Sequence, residues 1–240
     1  MLRALIFDVD GTLAETEEAH RQAFNEIFAE EGVAADWPDP ANDWSWDRAL
    51  YTRLLETTGG KERIAAYLRD DLDIDPAPWR ERIAAIHVKK TARFGEILAG
   101  GGLGLREGVK ETVEAARARG VRLAIATTTS RPNVEAVCRA GFGAAASEVF
   151  EVIAAGDEVA KKKPAPGVYE LALERLGLPA EACVALEDSR NGLDAALGAG
   201  LRCVVSPSLY TAHQRFDGAA AVINPLCFDA LAALNVAAAD

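Results

Sequence analysis

Six short apolar runs limit most strongly what this chain can fold into: Ala4–Phe7, Leu123–Ala126, Val149–Ile153, Val184–Leu186, Cys203–Val205 and Ala220–Ile223. Each has the length of a strand, and none alternates with polar residues as a half-solvated strand would. From the second run onward, amphipathic helical stripes fill most of the intervals. Val113, Ala116 and Ala118 form one, Val134 and Val137 the next, then Val168, Leu171, Ala172 and Leu176, then Leu193, Ala196 and Leu197. Buried strands alternating with helices predict βαβ units, and so an α/β fold with a doubly wound parallel sheet.

The interval after the first run breaks this rhythm. Between Leu13 and Leu103 only helical stripes occur: Phe24, Ile27 and Phe28; Leu50, Leu54 and Leu55; Ile64, Tyr67 and Leu68; Ile83, Ile86, Phe94, Ile97 and Leu98. Turn formers separate them at Pro38 and Pro40, Gly59-Gly60, and Pro76 and Pro78. The pattern predicts an all-helical insertion over 16–99, rejoining an α/β core of 1–15 and 100–240 through the hinge Gly100-Gly101-Gly102. All four tryptophans (Trp37, Trp44, Trp46, Trp79) fall in the insertion and read as its core and packing surface.

Composition removes several classes of function. Asp plus Glu number 37 against 26 Lys plus Arg, a formal charge of −11, which makes the protein a poor counterion for nucleic acid. No apolar run is long enough to cross a bilayer. The early charges at Asp8, Asp10, Glu15, Glu17 and Glu18 interrupt any secretory leader, so a cytoplasmic location is expected. Cys138, Cys183, Cys203 and Cys227 are widely spaced, without a C-x-x-C pair, and have apolar neighbours. They read as small core residues rather than as a zinc site or disulfide framework.

Four motifs carry chemistry, each at a strand end. The first is Phe7-Asp8-Val9-Asp10-Gly11-Thr12, where two carboxylates follow an apolar strand and Gly11 permits a turn. Such a pair repels itself unless a cation neutralises it or one member holds a proton. The second is Thr127-Thr128-Thr129-Ser130 with Arg131 and Asn133 just beyond, a strand-to-helix turn whose hydroxyls and N–H groups suit phosphate oxygens. The third is Lys161-Lys162-Lys163-Pro164, of which Lys161 and Lys162 read as solvated and Lys163 as fixed by the following proline. The fourth is Leu186-Glu187-Asp188-Ser189, two more carboxylates after a buried strand. Acidic groups from two strand ends suggest a hard cation, and Mg²⁺ fits carboxylate, water and phosphate oxygens.

In this order, and over the whole chain, these motifs resemble the haloacid dehalogenase superfamily of phosphotransferases. The resemblance implies that Asp8 is the nucleophile and Asp10 the general acid/base, that Thr127 contacts the phosphoryl group, and that Lys163 neutralises its charge. It further implies a Mg²⁺ site made by Asp8, the Asp10 carbonyl and Asp188, with Glu187 in support. The helical insertion matches the family's small α-helical cap, and the short interval from Thr127 to Lys163 leaves no room for the larger cap of some relatives. The expected partner is a small sugar phosphate, and the chain is expected to be a monomer.

Substrate choice is expected to lie in the cap. Glu17 and His20 follow the first hinge and are candidates for sugar hydroxyls, although a helix N-terminus explains Glu17 equally well. Lys61 and Arg63 follow the paired glycines at a helix start, where cations oppose the dipole and a second anion is a natural partner. Arg131 and Asn133 are candidates for the same anion. The stretches Glu15–Phe28, Gly59–Ile64, Ala126–Ser130, Lys162–Pro166, Val184–Ala196 and Val204–Thr211 are similar to the CbbY-type phosphatases. Those enzymes act on xylulose-1,5-bisphosphate, a Rubisco inhibitor, which links the resemblance to the Calvin cycle and carbohydrate metabolism. The stretch Ala34–Asp47 departs from the pattern. Open alternatives are a β-phosphoglucomutase-like sugar phosphomutase and a non-enzymatic phospho-Asp receiver. Asp10 and the insertion argue against the receiver, and Asp10 against a metal-free dehalogenase.

Overall fold

A computed structural model describes residues 1–32, 44–101 and 103–234. Trp37, Pro38, Pro40, Gly102 and the Ala-rich end at Ala237–Ala239 lie outside the described residues. The chain divides into two compact units, Met1–Thr16 with Gly102–Asp240, and Glu17–Gly101.

The first unit holds one six-stranded sheet: β1 (Ala4–Phe7), β2 (Arg122–Ala126), β3 (Val152–Ala154), β4 (Cys183–Glu187), β5 (Arg202–Val205) and β6 (Ala221–Val222). Its order is β3-β2-β1-β4-β5-β6 and every pairing is parallel. All four residues of β1 are fully buried, as expected of a central strand covered on both faces. Burying side chains such as Leu5, Ile6 and Phe7 contributes roughly 1.5–3 kcal/mol each. Helices Val109–Ala118, Arg131–Phe142, Gly167–Leu176 and Arg190–Gly198 occupy intervals between strands. The last is capped by Ser189, whose hydroxyl accepts from the Gly192 amide at 3.2 Å.

Two readings of the sequence are corrected here. The run Val149–Ile153 is not one strand: Val149 ends a short helix, Ala146–Val149, and the strand starts at Val152. Glu148 accepts from the Ala145 amide at 2.6 Å and Glu135 from the Ala146 amide at 2.9 Å, which holds that turn helical. Cys138, Cys183 and Cys203 are buried, but Cys227 is exposed, at the N-cap of helix Phe228–Ala233.

The second unit is helical, with helices Glu17–Glu30, Arg48–Leu54, Gly60–Asp71 and Arg80–Ala99. Trp44 and Trp46 are buried in an aromatic core, with Trp46 4.8 Å from Phe24 and Trp44 5.2 Å from Tyr67, ring centre to ring centre. Asn25 fixes the Trp46 backbone, donating to its carbonyl at 3.0 Å and accepting from its amide at 2.9 Å. Trp79 is only half-buried. Among the described residues, no helix is long and apolar enough to cross a membrane.

Candidate active site

The direction of strand addition reverses between β1 and β4, and in open α/β sheets the crevice beyond the strand ends at such a reversal is where ligands bind. Phe7 pairs with Leu186 in register, and the Asp8 amide donates to the Leu186 carbonyl at 2.9 Å. Asp8 and Glu187 therefore leave the sheet side by side. Asp188 follows Glu187 directly, and all three carboxylates are buried.

Lys163 enters from the segment before helix Gly167–Leu176. Its Nζ donates to Asp8 Oδ1 at 2.7 Å, Glu187 Oε1 at 2.5 Å and the Ala126 carbonyl at 2.9 Å, which uses all three of its protons. Burial works against its charge, but Asp8 and Glu187 outweigh burial and hold the ammonium above its ordinary pKa. At Asp8, burial pushes the carboxyl well above its usual range. Lys163 opposes that rise, while Glu187 and Asp188 add to it.

A Mg²⁺ ion fits the remaining groups. One oxygen of each of Asp8, Glu187 and Asp188 lies within 4.8 Å of the others, and Glu187 Oε2 is buried with no hydrogen-bond partner. An unpaired buried carboxylate oxygen is costly unless a cation faces it. Asp188 is steadied by Thr211, whose Oγ1 donates to its Oδ2 at 3.1 Å. Gly11 is required twice over. Its φ is +81°, and a Cβ there would come within 2.2 Å of Asp188 Oδ2. The side chain of Asp10 is not in the three-carboxylate group; its Oδ1 accepts from Thr16 Oγ1 at 2.6 Å.

The turn after β2 is tightly organised. The buried Thr127 donates its amide to the Ala154 carbonyl at 3.1 Å, and its Oγ1 accepts from the Thr129 amide at 3.2 Å. The Asn133 amide group donates to Thr129 Oγ1 at 2.8 Å. Thr128, Thr129 and Ser130 are half-buried, and Ser130 Oγ has no hydrogen-bond partner within the protein. Arg131 and Asn133 turn to different partners in the structure. The Arg131 guanidinium donates to the Ile153 carbonyl in β3 at 3.0 Å and pairs with Glu158 at 3.6 Å. Nor is Lys162 simply solvated: its Nζ reaches the Thr128 carbonyl and Asp157, each at 3.5 Å.

In the helical unit, Glu17, Tyr51 and Arg63 form one chain of hydrogen bonds. Tyr51 donates to Glu17 Oε2 at 2.8 Å and accepts from Arg63 at 2.9 Å. Arg63 is buried, also donates to the Leu54 carbonyl at 3.2 Å, and lies 5.1 Å from the Tyr51 ring centre. It is therefore an internal strut of this unit, with two of its donors spent on the Leu54 carbonyl and the Tyr51 hydroxyl. Lys61 is exposed and borders an open cavity of about 590 Å³ with Arg69, Arg80 and Asp75. His20 is buried, stacked 3.8 Å from Phe94 and 2.6 Å from Lys90 Nζ.

Three polar residues around the strand ends are not among the site residues expected from the sequence. Besides Thr211, Tyr169 donates to Glu187 Oε1 at 2.6 Å. Arg106 donates to the carbonyls of Ser206 and Pro207, each at 2.7 Å, and to that of Gly11, and pairs with Glu15 at 3.1 Å. It clasps the loop carrying Gly11 to the loop after β5.

The family profile of the haloacid dehalogenase-like hydrolases matches residues 2–200. The CbbY protein of Cereibacter sphaeroides is 58% identical over 219 residues, covering 91% of this chain and 90% of that one. Solved structures of Rhodobacter sphaeroides CbbY, one with phosphate and one of an aspartate-to-asparagine mutant with xylulose-(1,5)bisphosphate, share 55% identity. Each covers 93% of this chain and 94% of its own, with a TM-score of 0.83. The β-phosphoglucomutase of Clostridium difficile, at 17% identity, covers 99% of this chain and 98% of its own with a TM-score of 0.77, a likeness of fold alone.

Proposed function

The chain belongs to the haloacid dehalogenase-like hydrolase family, and within it we propose a Mg²⁺-dependent sugar-bisphosphate phosphatase that converts xylulose-1,5-bisphosphate to xylulose 5-phosphate. One observation carries the choice of substrate: a relative 55% identical across 93% of the chain holds xylulose-(1,5)bisphosphate. The chemistry rests on Asp8, which is flanked by Lys163, Glu187 and Asp188 beyond adjoining strand ends.

The reaction divides between two carboxyl groups. An oxygen of Asp8 bonds to phosphorus as the bond to the sugar oxygen breaks, and Asp10 gives its proton to that leaving oxygen. Asp10, then ionised, takes a proton from the water that cleaves the aspartyl-phosphate, which regenerates Asp8 and releases phosphate. Thr16 holds the Asp10 carboxyl through both halves. Thr127 and the amides of its turn receive phosphoryl oxygens, and Lys163 neutralises charge gathering on them. Mg²⁺, held by Asp8, Glu187 and Asp188, supplies further positive charge when bound. Both cations matter in a protein of charge −11, which otherwise repels a bisphosphate. Lys61 is the candidate for the distal phosphate.

The test is phosphate release from a panel of sugar mono- and bisphosphates with Mg²⁺. Xylulose-1,5-bisphosphate should give the highest kcat/KM, and Asp8→Asn should release no phosphate from any substrate. Turnover by Asp8→Asn refutes the mechanism. Interconversion of glucose phosphates that depends on glucose 1,6-bisphosphate assigns the protein to the mutases instead.

A further inference from the structure

The two oxygens of Glu187 are treated very differently. Oε1 receives Tyr169 Oη at 2.6 Å and Lys163 Nζ at 2.5 Å, while Oε2, equally enclosed, receives nothing. Lys163 has no further proton to offer, since its other two go to Asp8 and the Ala126 carbonyl. Gly192 lies directly against the carboxylate: a Cβ there would lie 1.9 Å from Oε2 and 2.3 Å from Oε1. The carboxylate is thus pinned through Oε1 by two donors and packed as a whole against the Gly192 backbone.

We infer that Tyr169 is a positioning residue for the divalent cation, its hydroxyl holding Glu187 so that Oε2 faces the ion shared with Asp8 and Asp188. The inference rests on the cation site of the proposed function. Lys163 alone cannot do this. An ammonium is a rotationally permissive donor, and with Tyr169 absent a single bond from Lys163 is all that fixes which way Oε1, and hence Oε2, is turned. Tyr169 is well built for a fixed task. It is fully buried on helix Gly167–Leu176, packs among Ala126, Cys203 and Val205, and carries Lys163 Nζ 5.0 Å from its ring centre. Partners that orient a metal ligand commonly change metal affinity by about 10–100-fold.

Tyr169→Phe isolates the hydroxyl, because it keeps the ring and its contact with Lys163. Mg²⁺ binding is measured by calorimetry on the substrate-free protein, and Mn²⁺ binding by electron paramagnetic resonance. The expected result is a Kd for both ions raised about 10-fold. At saturating Mg²⁺ the variant's KM for substrate should stay within about twofold of the wild-type value, with kcat regained as Mg²⁺ is raised. In a Glu187→Gln background the same substitution should change the Kd no further. A lowered Tm with an unchanged metal Kd, or fully additive effects with Glu187→Gln, overturns the inference. Should Tyr169→Phe fold poorly, the rise in Tm on adding Mg²⁺ reads the same affinity and must be smaller than in wild type. Wild-type protein that binds neither ion overturns the cation site itself, a failure distinct from that of Tyr169.

Discussion

Thr16 Oγ1 donates a 2.6 Å hydrogen bond to Asp10 Oδ1, and Thr16 is fully buried although it is the last residue before a helix. Its hydroxyl therefore serves the proposed acid/base residue instead of solvent. Thr16→Val should lower kcat about 10-fold with KM within about twofold, and cost about 1 kcal/mol of stability. Asp10→Asn should lower kcat by about 100-fold or more with substrate binding nearly intact. Steady-state kinetics separate the two, and an unchanged kcat in Thr16→Val removes Thr16 from the mechanism.

Lys61 and Arg63, two positions apart on one helix, should respond in opposite ways. Arg63→Ala strips hydrogen bonds from Tyr51 and Leu54 in the interior of the helical unit. It should lower unfolding stability by about 2 kcal/mol in urea titrations. Lys61→Ala, at an exposed position, should leave stability within about 0.5 kcal/mol of wild type. Its KM for bisphosphates should rise several-fold while that for p-nitrophenyl phosphate does not. Equal effects on the two substrates would remove Lys61 from the distal phosphate site.

Acid should expose the pair Glu158–Arg175. The 2.6 Å bond from Arg175 holds the Glu158 carboxyl down to about 2, below its ordinary 4.5, against a smaller opposing effect of burial. A group depressed in the folded state stabilises fully above its unfolded pKa, and that contribution fades as pH falls from about 4.5 toward 2. Both side chains are about a third exposed, so the pair is screened and worth less than about 1 kcal/mol. The difference in unfolding free energy between wild type and Glu158→Gln should therefore shrink between pH 6 and pH 3, and shrink less in high salt. A difference that grows on acidification contradicts the assignment.

Thiol chemistry should separate the cysteines three to one. Burial pushes Cys138 up to about 12, Cys183 to about 11 and Cys203 well above its usual value, so little thiolate is available at any of them. Cys227 is exposed. Native protein at pH 8 should react rapidly at one thiol with Ellman's reagent and at all four after denaturation. Cys227→Ser should abolish the rapid phase without loss of activity.

What the sequence discloses here is periodicity and the chemistry of strand ends. Asp8, Thr127, Lys163, Glu187 and Asp188 each follow or face the end of an apolar run, so the sheet itself brings them together. Side chains that fold back onto partners are a different matter. Nothing near Tyr169 signals that its hydroxyl meets Glu187, and the acceptors of Arg106 lie about a hundred positions away on either side. Arg63 and Arg131 show the converse. Charge and position suggested ligands, yet nearby backbone carbonyls already engage both guanidinium groups. A local pattern records which residues are polar but not which acceptor lies in reach. For Cys227, apolar neighbours misled because the segment caps a short terminal helix.

The placement of β1 between β2 and β4 has a consequence for the newly made chain. Asp8 is synthesised well before β4, the strand that brings Glu187 and Asp188 beside it. Until that strand leaves the ribosome, the innermost strand of the sheet lacks a flank and the nucleophile lacks its fellow acids. Catalytic competence should therefore arrive abruptly, once β4 has emerged, and a chain cut short before Cys183 should be unable to bind a divalent ion at this centre however well its helical unit has folded.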